Sequence, residues 1–268
     1  MKAYLKGFLA AISLSAIVAC ATNPITGKRS FVMVPESVEI SMGEQSYSQV
    51  LRSEPISNDP KWNAIVTRVG QRIAAVANRP DYQWEFKVIA SNVQNAFCLP
   101  GGKIAVYKGI LPIAKNEAGL ATVMSHEVVH AIARHGGQRI SQGLLATGAL
   151  IGLQQTALKD KDAKTQALIL GGLGAGLTVG VILPFSRGHE SEADEVGQIL
   201  MARAGYDPSE SIQFWHRFAE VTKGSSMPTF LSTHPSTTSR EEAMREHLSA
   251  AQAEYAKAPN KYGIGEVF

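Results

Sequence analysis

The stretch Met124-Ser125-His126-Glu127-Val128-Val129-His130, MSHEVVH, lies near the middle of a 268-residue chain. Its surroundings read as a helix. Asn116 can cap the start, and Leu120, Val123, Val128 and Ile132 recur at helical spacing. The pair Gly136-Gly137 supplies a stop signal, which places MSHEVVH in the last half of that helix. His126 and His130 are four apart, so both imidazoles leave the same face and can grip one metal ion. Glu127 follows the first histidine and points beside such an ion, where it can move a proton.

The five-residue pattern is short and recurs by chance, so it needs a third ligand. A catalytic zinc site takes three protein ligands and keeps one position open, and it lowers the pKa of a bound water to about 7. His189, Glu190, Glu192, Asp194 and His234 are the downstream candidates. Glu190 and Asp194 are four apart and share a face of the helix that SRGHESEADEVGQILMARAGY opens and Gly205 bounds. One could bind metal while the other braces a ligand histidine. Spacing alone leaves Glu190 and Glu192 open, and a cluster of acids also suits a helix N-terminus.

The rest of the chain has room for one well-packed domain. With 45% hydrophobic and 18% charged residues it reads as globular. Residues 1–19 read as a leader: Lys2 and Lys6 precede the apolar run GFLAAISLSAIVA, too short for a comfortable span. The run ends at Ile17-Val18-Ala19-Cys20, similar to a bacterial lipobox, which would make Cys20 the lipidated N-terminus. Ala21 after it favours the outer membrane. Without Lys2 and Lys6 the chain holds 24 basic and 23 acidic residues, a balance that points away from nucleic acid. Only Cys98 then remains, so no internal disulfide can form, and it reads as a small buried residue.

Residues 20–35 read as a tether, and a helix follows from Pro35 to Leu51. Trp62, Ile65, Val66, Val69, Ile73 and Val76 mark a stronger helix over 60–77, stopped by Asn78-Arg79-Pro80-Asp81. QWEFKVIA alternates like a strand, and Pro100-Gly101-Gly102 predicts a hairpin. Residues 141–185, rich in glycine and leucine, predict two packed or interfacial helices joined by KDKDAK, with Pro184 ending the second. Asp207-Pro208-Ser209-Glu210 reads as a capping box before Ile212, Phe214, Trp215 and Phe218. A last helix covers about 240–256, and residues 257–268 look irregular.

HEVVH, HESEAD about sixty residues later and then THPSTTSR resemble, in that order, the HtpX and CAAX-prenyl-protease family of gluzincin metallopeptidases, in its soluble periplasmic lipoprotein branch. The resemblance runs from about Glu36 to Leu248. It implies an α+β, predominantly helical, zincin-like domain over 36–256, with a small sheet and an active-site helix carrying HExxH. It makes Glu190 the third ligand to one zinc ion, with His126 and His130, and Asp194 the support of a ligand histidine. Glu192 has no assigned role in it. His234 and Arg240 match a family pair suited to an oxyanion. His234 could instead plug the open metal position. Asn95, Ala96 and Phe97, in NVQNAF, resemble the edge strand that such enzymes pair with substrate.

The implied activity is zinc-dependent hydrolysis of peptide bonds in misfolded or misassembled envelope proteins. The expected place is the periplasmic face of the outer membrane, held by the lipid and near its assembly machinery. The alternative is an assembly factor that keeps the zinc fold and acts by binding.

Overall fold

The computed structural model describes residues 20–178, 183–222, 230, 234 and 240–268. The expected leader 1–19, and most of the THPSTTSR stretch, lie outside them. The core is built around one helix, α4 (Glu117–Ile132), in which every residue except His130 is buried. Asn116 caps it as predicted, its side chain accepting from the Gly119 N–H at 2.8 Å. With apolar groups on all sides, burial and not amphipathicity holds this helix.

Five short strands and four further helices precede or flank α4 in the chain: β1 (Cys20–Thr22), β2 (Arg29–Phe31), α1 (Glu36–Ser53), α2 (Pro60–Val76), β3 (Glu85–Ile89), β4 (Ala96–Leu99), β5 (Lys103–Tyr107), the single turn α3 (Leu111–Ala114) and α5 (His135–Gln155). After them come α6 (Ala163–Leu177), α7 (Leu183–Arg203), α8 (Glu210–Thr222) and α9 (Arg240–Lys257). The fold is thus α+β and mostly helical. α4 packs against α7, β4, α2 and α8, and α9 covers α7. Ile65, Val66, Val69 and Ile73 of α2 are buried on the predicted face, and Phe214 and Phe218 of α8 close the other side. Each such side chain contributes about 1.5–3 kcal/mol by leaving water.

The sheet has the order β3-β5-β4, with β3 and β5 parallel and β4 antiparallel to β5. The predicted hairpin is β4–β5. Gly101 (φ 90°) and Gly102 (φ 86°) take the left-handed backbone that its turn requires. β4 is an edge strand lying on α4.

Four expectations need correction. The tether is partly ordered: β1 and β2 pair antiparallel, Cys20 opposite Phe31, and Asn23 in their turn is buried. Three-residue strands carry no readable alternation, and tertiary contact fixes this ribbon. The stop after α4 comes early, at Arg134, whose φ of 56° breaks the helix before α5 begins at His135. Arg134 is held there by the Val34 carbonyl and by Glu39 Oε1, each at 2.6 Å. Gly137 lies inside α5, where a Cβ would stand 2.0 Å from Glu39 Oε1.

The capping box is only half formed. Asp207 accepts from the Ser209 N–H at 2.9 Å, but Glu210 turns instead to Asn116 Nδ2 and Arg217. Finally, α7 starts at Leu183, so Pro184 sits in its first turn and the acids lie deeper in the helix. The irregular tail 257–268 is docked: carbonyls of Glu266 and Ile264 accept from the Glu117 and Ala118 N–H groups at the start of α4. α5 and α6 do form a packed hairpin, with Leu144, Leu145, Ile151, Leu168 and Leu173 exposed. Among the described residues no helix is long and apolar enough to cross a membrane.

Candidate metal centre

α4 presents His126 and His130 one turn apart, and α7 brings Glu190 to the same point. Gly197 permits the approach, since a Cβ there would stand 3.1 Å from the His126 backbone nitrogen. Glu190 Oε2 lies 3.3 Å from His126 Nε2, and its Oε1 lies 3.4 Å from His130 Nε2. His234 Nδ1 sits 3.2 Å from Glu190 Oε2 and 3.4 Å from His126 Nε2. One atom from each of these four residues lies within 4.8 Å of all the others. The structure thus brings together His126, His130, Glu190 and His234, and it separates Glu190 from Glu192, which spacing alone did not.

Electrostatics asks for a cation here. The Nε2 atoms of His126 and His130 face each other at 3.1 Å, and both also face the Glu190 carboxylate, so a cation placed there would meet three donors at once. Burial opposes a charged Glu190, yet hydrogen bonds from His126, His130 and His234 outweigh it and hold the carboxyl below its usual range. Burial drives the His130 imidazole well below its usual value, which keeps it neutral. Two imidazoles and a carboxylate form the nitrogen and oxygen donor set that suits zinc. The residues present therefore fit a divalent metal.

The supports are equally specific. Asp194, one turn after Glu190, accepts from His126 Nδ1 at 2.9 Å, which leaves Nε2 to face the cluster. Arg240, first residue of α9 and buried, donates from Nε to Asp194 Oδ2 at 2.8 Å and stacks on the Trp215 ring at 3.8 Å. Among the described residues, its buried Nη1 has no hydrogen-bond partner. Glu127 is buried, with His234 Nε2 3.4 Å from its Oε1. Burial pushes its carboxyl up to about 7, with the His234 charge pulling the other way.

Asn95, Ala96 and Phe97 form the entry to β4. Ala96 is buried, Phe97 packs edge-on against Tyr107 at 6.5 Å, and the Asn95 carbonyl accepts from the Tyr107 N–H. The neighbouring Gln94 carbonyl accepts from the Phe230 N–H, and Phe230 stacks on His234 at 4.7 Å. The segment thus borders the centre. Cys98 is buried, and burial pushes its thiol well up, as expected of an inert residue.

Sequence reasoning missed a second histidine group behind the ligands. His135 Nδ1 lies 2.9 Å from His130 Nδ1, and His189 stacks on His135 with centroids 4.2 Å apart. Burial pushes His189 down to about 3. Glu192, left without a role, accepts from Asn23 Nδ2 at 2.9 Å and pairs with Lys28. The early signals were a histidine five residues after the motif and the candidate ligand His189, which stacks on His135 and is not among the converging donors.

The family described as Peptidase family M48 matches residues 60–248. The chain is 36% identical over 234 residues to the mitochondrial metalloendopeptidase OMA1 of Schizosaccharomyces pombe, covering 85% of this chain and 66% of that protein. It is 30% identical over 254 residues to the protein of that name in Saccharomyces cerevisiae, covering 88% and 71%. The beta-barrel assembly-enhancing protease of Escherichia coli K12 is 32% identical over 208 residues, covering 75% of this chain but 42% of that protein. With its HExxH helix and converging donors, the chain belongs to the metallopeptidases of family M48.

Proposed function

We propose that this chain is a zinc-dependent endopeptidase of the bacterial cell envelope. The observation that carries the reading is the meeting of His126, His130 and Glu190 from two helices at one buried point, with Glu127 beside it. His126, His130 and Glu190 would hold one zinc ion, which when bound polarises a carbonyl and acidifies water. Glu127 takes a proton from the attacking water and returns it to the leaving amine. A carboxyl lifted toward neutrality by burial suits both transfers. Asp194 fixes the His126 ring. The unpartnered Nη1 of Arg240 is a donor left for the oxyanion of the tetrahedral intermediate. His234 sits among the donors in this arrangement and acts as a plug that substrate displaces. An extended polypeptide pairs with the β4 edge near Asn95, Ala96 and Phe97.

The lipobox at Cys20 supports attachment to the outer membrane, and Cys20 is exposed at the start of β1. The name of the Escherichia coli relative supports misassembled outer-membrane proteins as substrates and the assembly machinery as a neighbour. The test is Glu127→Gln. Zinc content measured by elemental analysis is expected to stay near one ion per chain. Cleavage of casein is expected to fall by roughly 10²- to 10⁴-fold, the usual worth of general acid–base catalysis. A variant that still cleaves at the wild-type rate overturns the mechanism. One that is inactive yet rescues every defect of a deletion strain favours an assembly factor acting by binding.

A further inference from the structure

The break at Arg134 has a geometric effect on the centre. In an unbroken helix a residue five positions after His130 would lie about 140° around the axis. The left-handed Arg134 instead folds α5 back, so that His135 stands directly behind His130. Their Nδ1 atoms are 2.9 Å apart, and His135 is fully buried. A metal ion held by His130 Nε2, which faces Glu190 and His126, would leave the proton of the neutral ring on Nδ1. Only one of two apposed nitrogens can donate, so His135 Nδ1 must accept. That places the His135 proton on Nε2, which faces Glu192 Oε2 at 3.8 Å.

Glu192 is also tied outward. Asn23 Nδ2 donates to its Oε1 at 2.9 Å, while Asn23 Oδ1 accepts from the Ile25 and Thr26 N–H groups of its own turn. Lys28, on the far side of that turn, pairs with Oε2. A line of polar side chains thus runs from the N-terminal ribbon β1–β2, through Glu192 and His135, to His130, with the step from Glu192 Oε2 to His135 Nε2, at 3.8 Å, longer than a hydrogen bond. Metal-ligating histidines are oriented by what accepts their second N–H. Here the group behind the ligand is another imidazole, whose far nitrogen faces a carboxylate that the ribbon holds.

We propose that His135 is the positioning residue for His130, accepting its Nδ1–H, and that Glu192, clamped by Asn23 and Lys28, lets docking of the ribbon tighten zinc binding. The inference rests on the zinc reading above and adds a link between the segment next to Cys20 and the metal. His135 touches neither substrate nor metal, and its effect passes through the orientation and tautomer of His130.

The experiment measures zinc affinity by competition with a chromophoric chelator, using the whole secreted chain. His135→Ala is expected to weaken zinc roughly 10- to 100-fold, the usual effect of losing an outer partner. His135→Asn keeps an oxygen acceptor in the place of Nδ1 and is expected to restore most of that loss. Asn23→Ala and Glu192→Gln are expected to weaken zinc in the same direction by smaller factors. Nitrogen-15 NMR of the zinc-loaded wild type is expected to show a protonated Nδ1 on His130 coupled across the hydrogen bond to an unprotonated Nδ1 on His135. Unchanged affinity in His135→Ala, or a proton on His135 Nδ1, overturns the proposal. Should His135→Ala not fold, the Asn23→Ala affinity and the wild-type spectrum decide it. A wild type that binds no zinc sinks the functional reading instead, so the two failures are distinguishable.

Discussion

Replacing Asp194 by asparagine tests whether the buried pair with Arg240 organises the centre. Asp194 and Arg240 are each only about 5–6% exposed. Asp194 serves three donors, His126 Nδ1 at 2.9 Å, Arg240 Nε at 2.8 Å and Arg240 Nη2 at 2.5 Å. The substitution leaves a guanidinium buried against Trp215 whose nearest carboxylate among the described residues is then Glu190 Oε2, 3.7 Å from Nη2. Orphaning one member of a buried ion pair costs about 3–5 kcal/mol. Arg240→Met removes the cation but keeps an apolar chain on the Trp215 face, and Asp194 still accepts from His126. That change too orphans a buried charge, the Asp194 carboxylate, and should cost a similar amount, about 3–5 kcal/mol.

In the double variant no guanidinium is left to be orphaned. Asp194→Asn on that background removes an uncompensated buried charge and keeps an acceptor for His126 Nδ1, so it should cost no more than about 1 kcal/mol. The two changes are therefore expected to couple by about 2 kcal/mol or more. Urea unfolding of chelator-stripped protein, followed by far-UV circular dichroism at pH 7, measures all four corners without metal affinity entering. At this chain length each kcal/mol moves the melting midpoint by roughly 2–4 °C, so Asp194→Asn should melt about 6–20 °C early. Additivity within about 0.5 kcal/mol, the behaviour of independent sites, would refute the reasoning.

Two other outcomes follow from the geometry. Burial raises the Glu39 carboxyl above its ordinary 4.5, against the pull of Arg134. The folded chain then holds this proton more tightly than the unfolded one, so the Glu39 contribution to stability declines as pH rises from about 4.5. Glu39→Gln should lack that decline, and a stability gap between wild type and variant that widens in favour of wild type with rising pH would contradict it. His234→Ala removes the ring lying among the donors. Basal casein cleavage should increase if the ring is a plug, and a loss of cleavage would make it an oxyanion donor instead.

How much of this was legible in the sequence depends on how local each signal was. The cap at Asn116, the apolar face of α2 and the turn at Gly101 are set by neighbours within a few residues, and each stands where its pattern placed it. The ribbon, the docked tail and the helix break were not legible, because each is fixed by a distant partner. Asn23 needs Glu192, Glu266 needs Glu117 and Arg134 needs Glu39.

The centre shows the same division within a single turn of α7. At 100° per residue, Glu190 and Asp194 share a face, whereas Glu192 lies about 200° from Glu190. Both glutamates could not serve one ion from one helix, and the structure sends them to opposite ends of the same machinery: Glu190 to the Nε2 atoms of His126 and His130, Glu192 to His135 and the ribbon behind them. Helical phase was available from the sequence and excluded a shared role. What it could not supply was the direction of the metal, since that required knowing which face of α7 lay on α4. Gly197 carries that information, one small residue seven positions after Glu190 where a side chain would press on the backbone of His126. Its meaning depends on a helix more than sixty residues earlier in the chain.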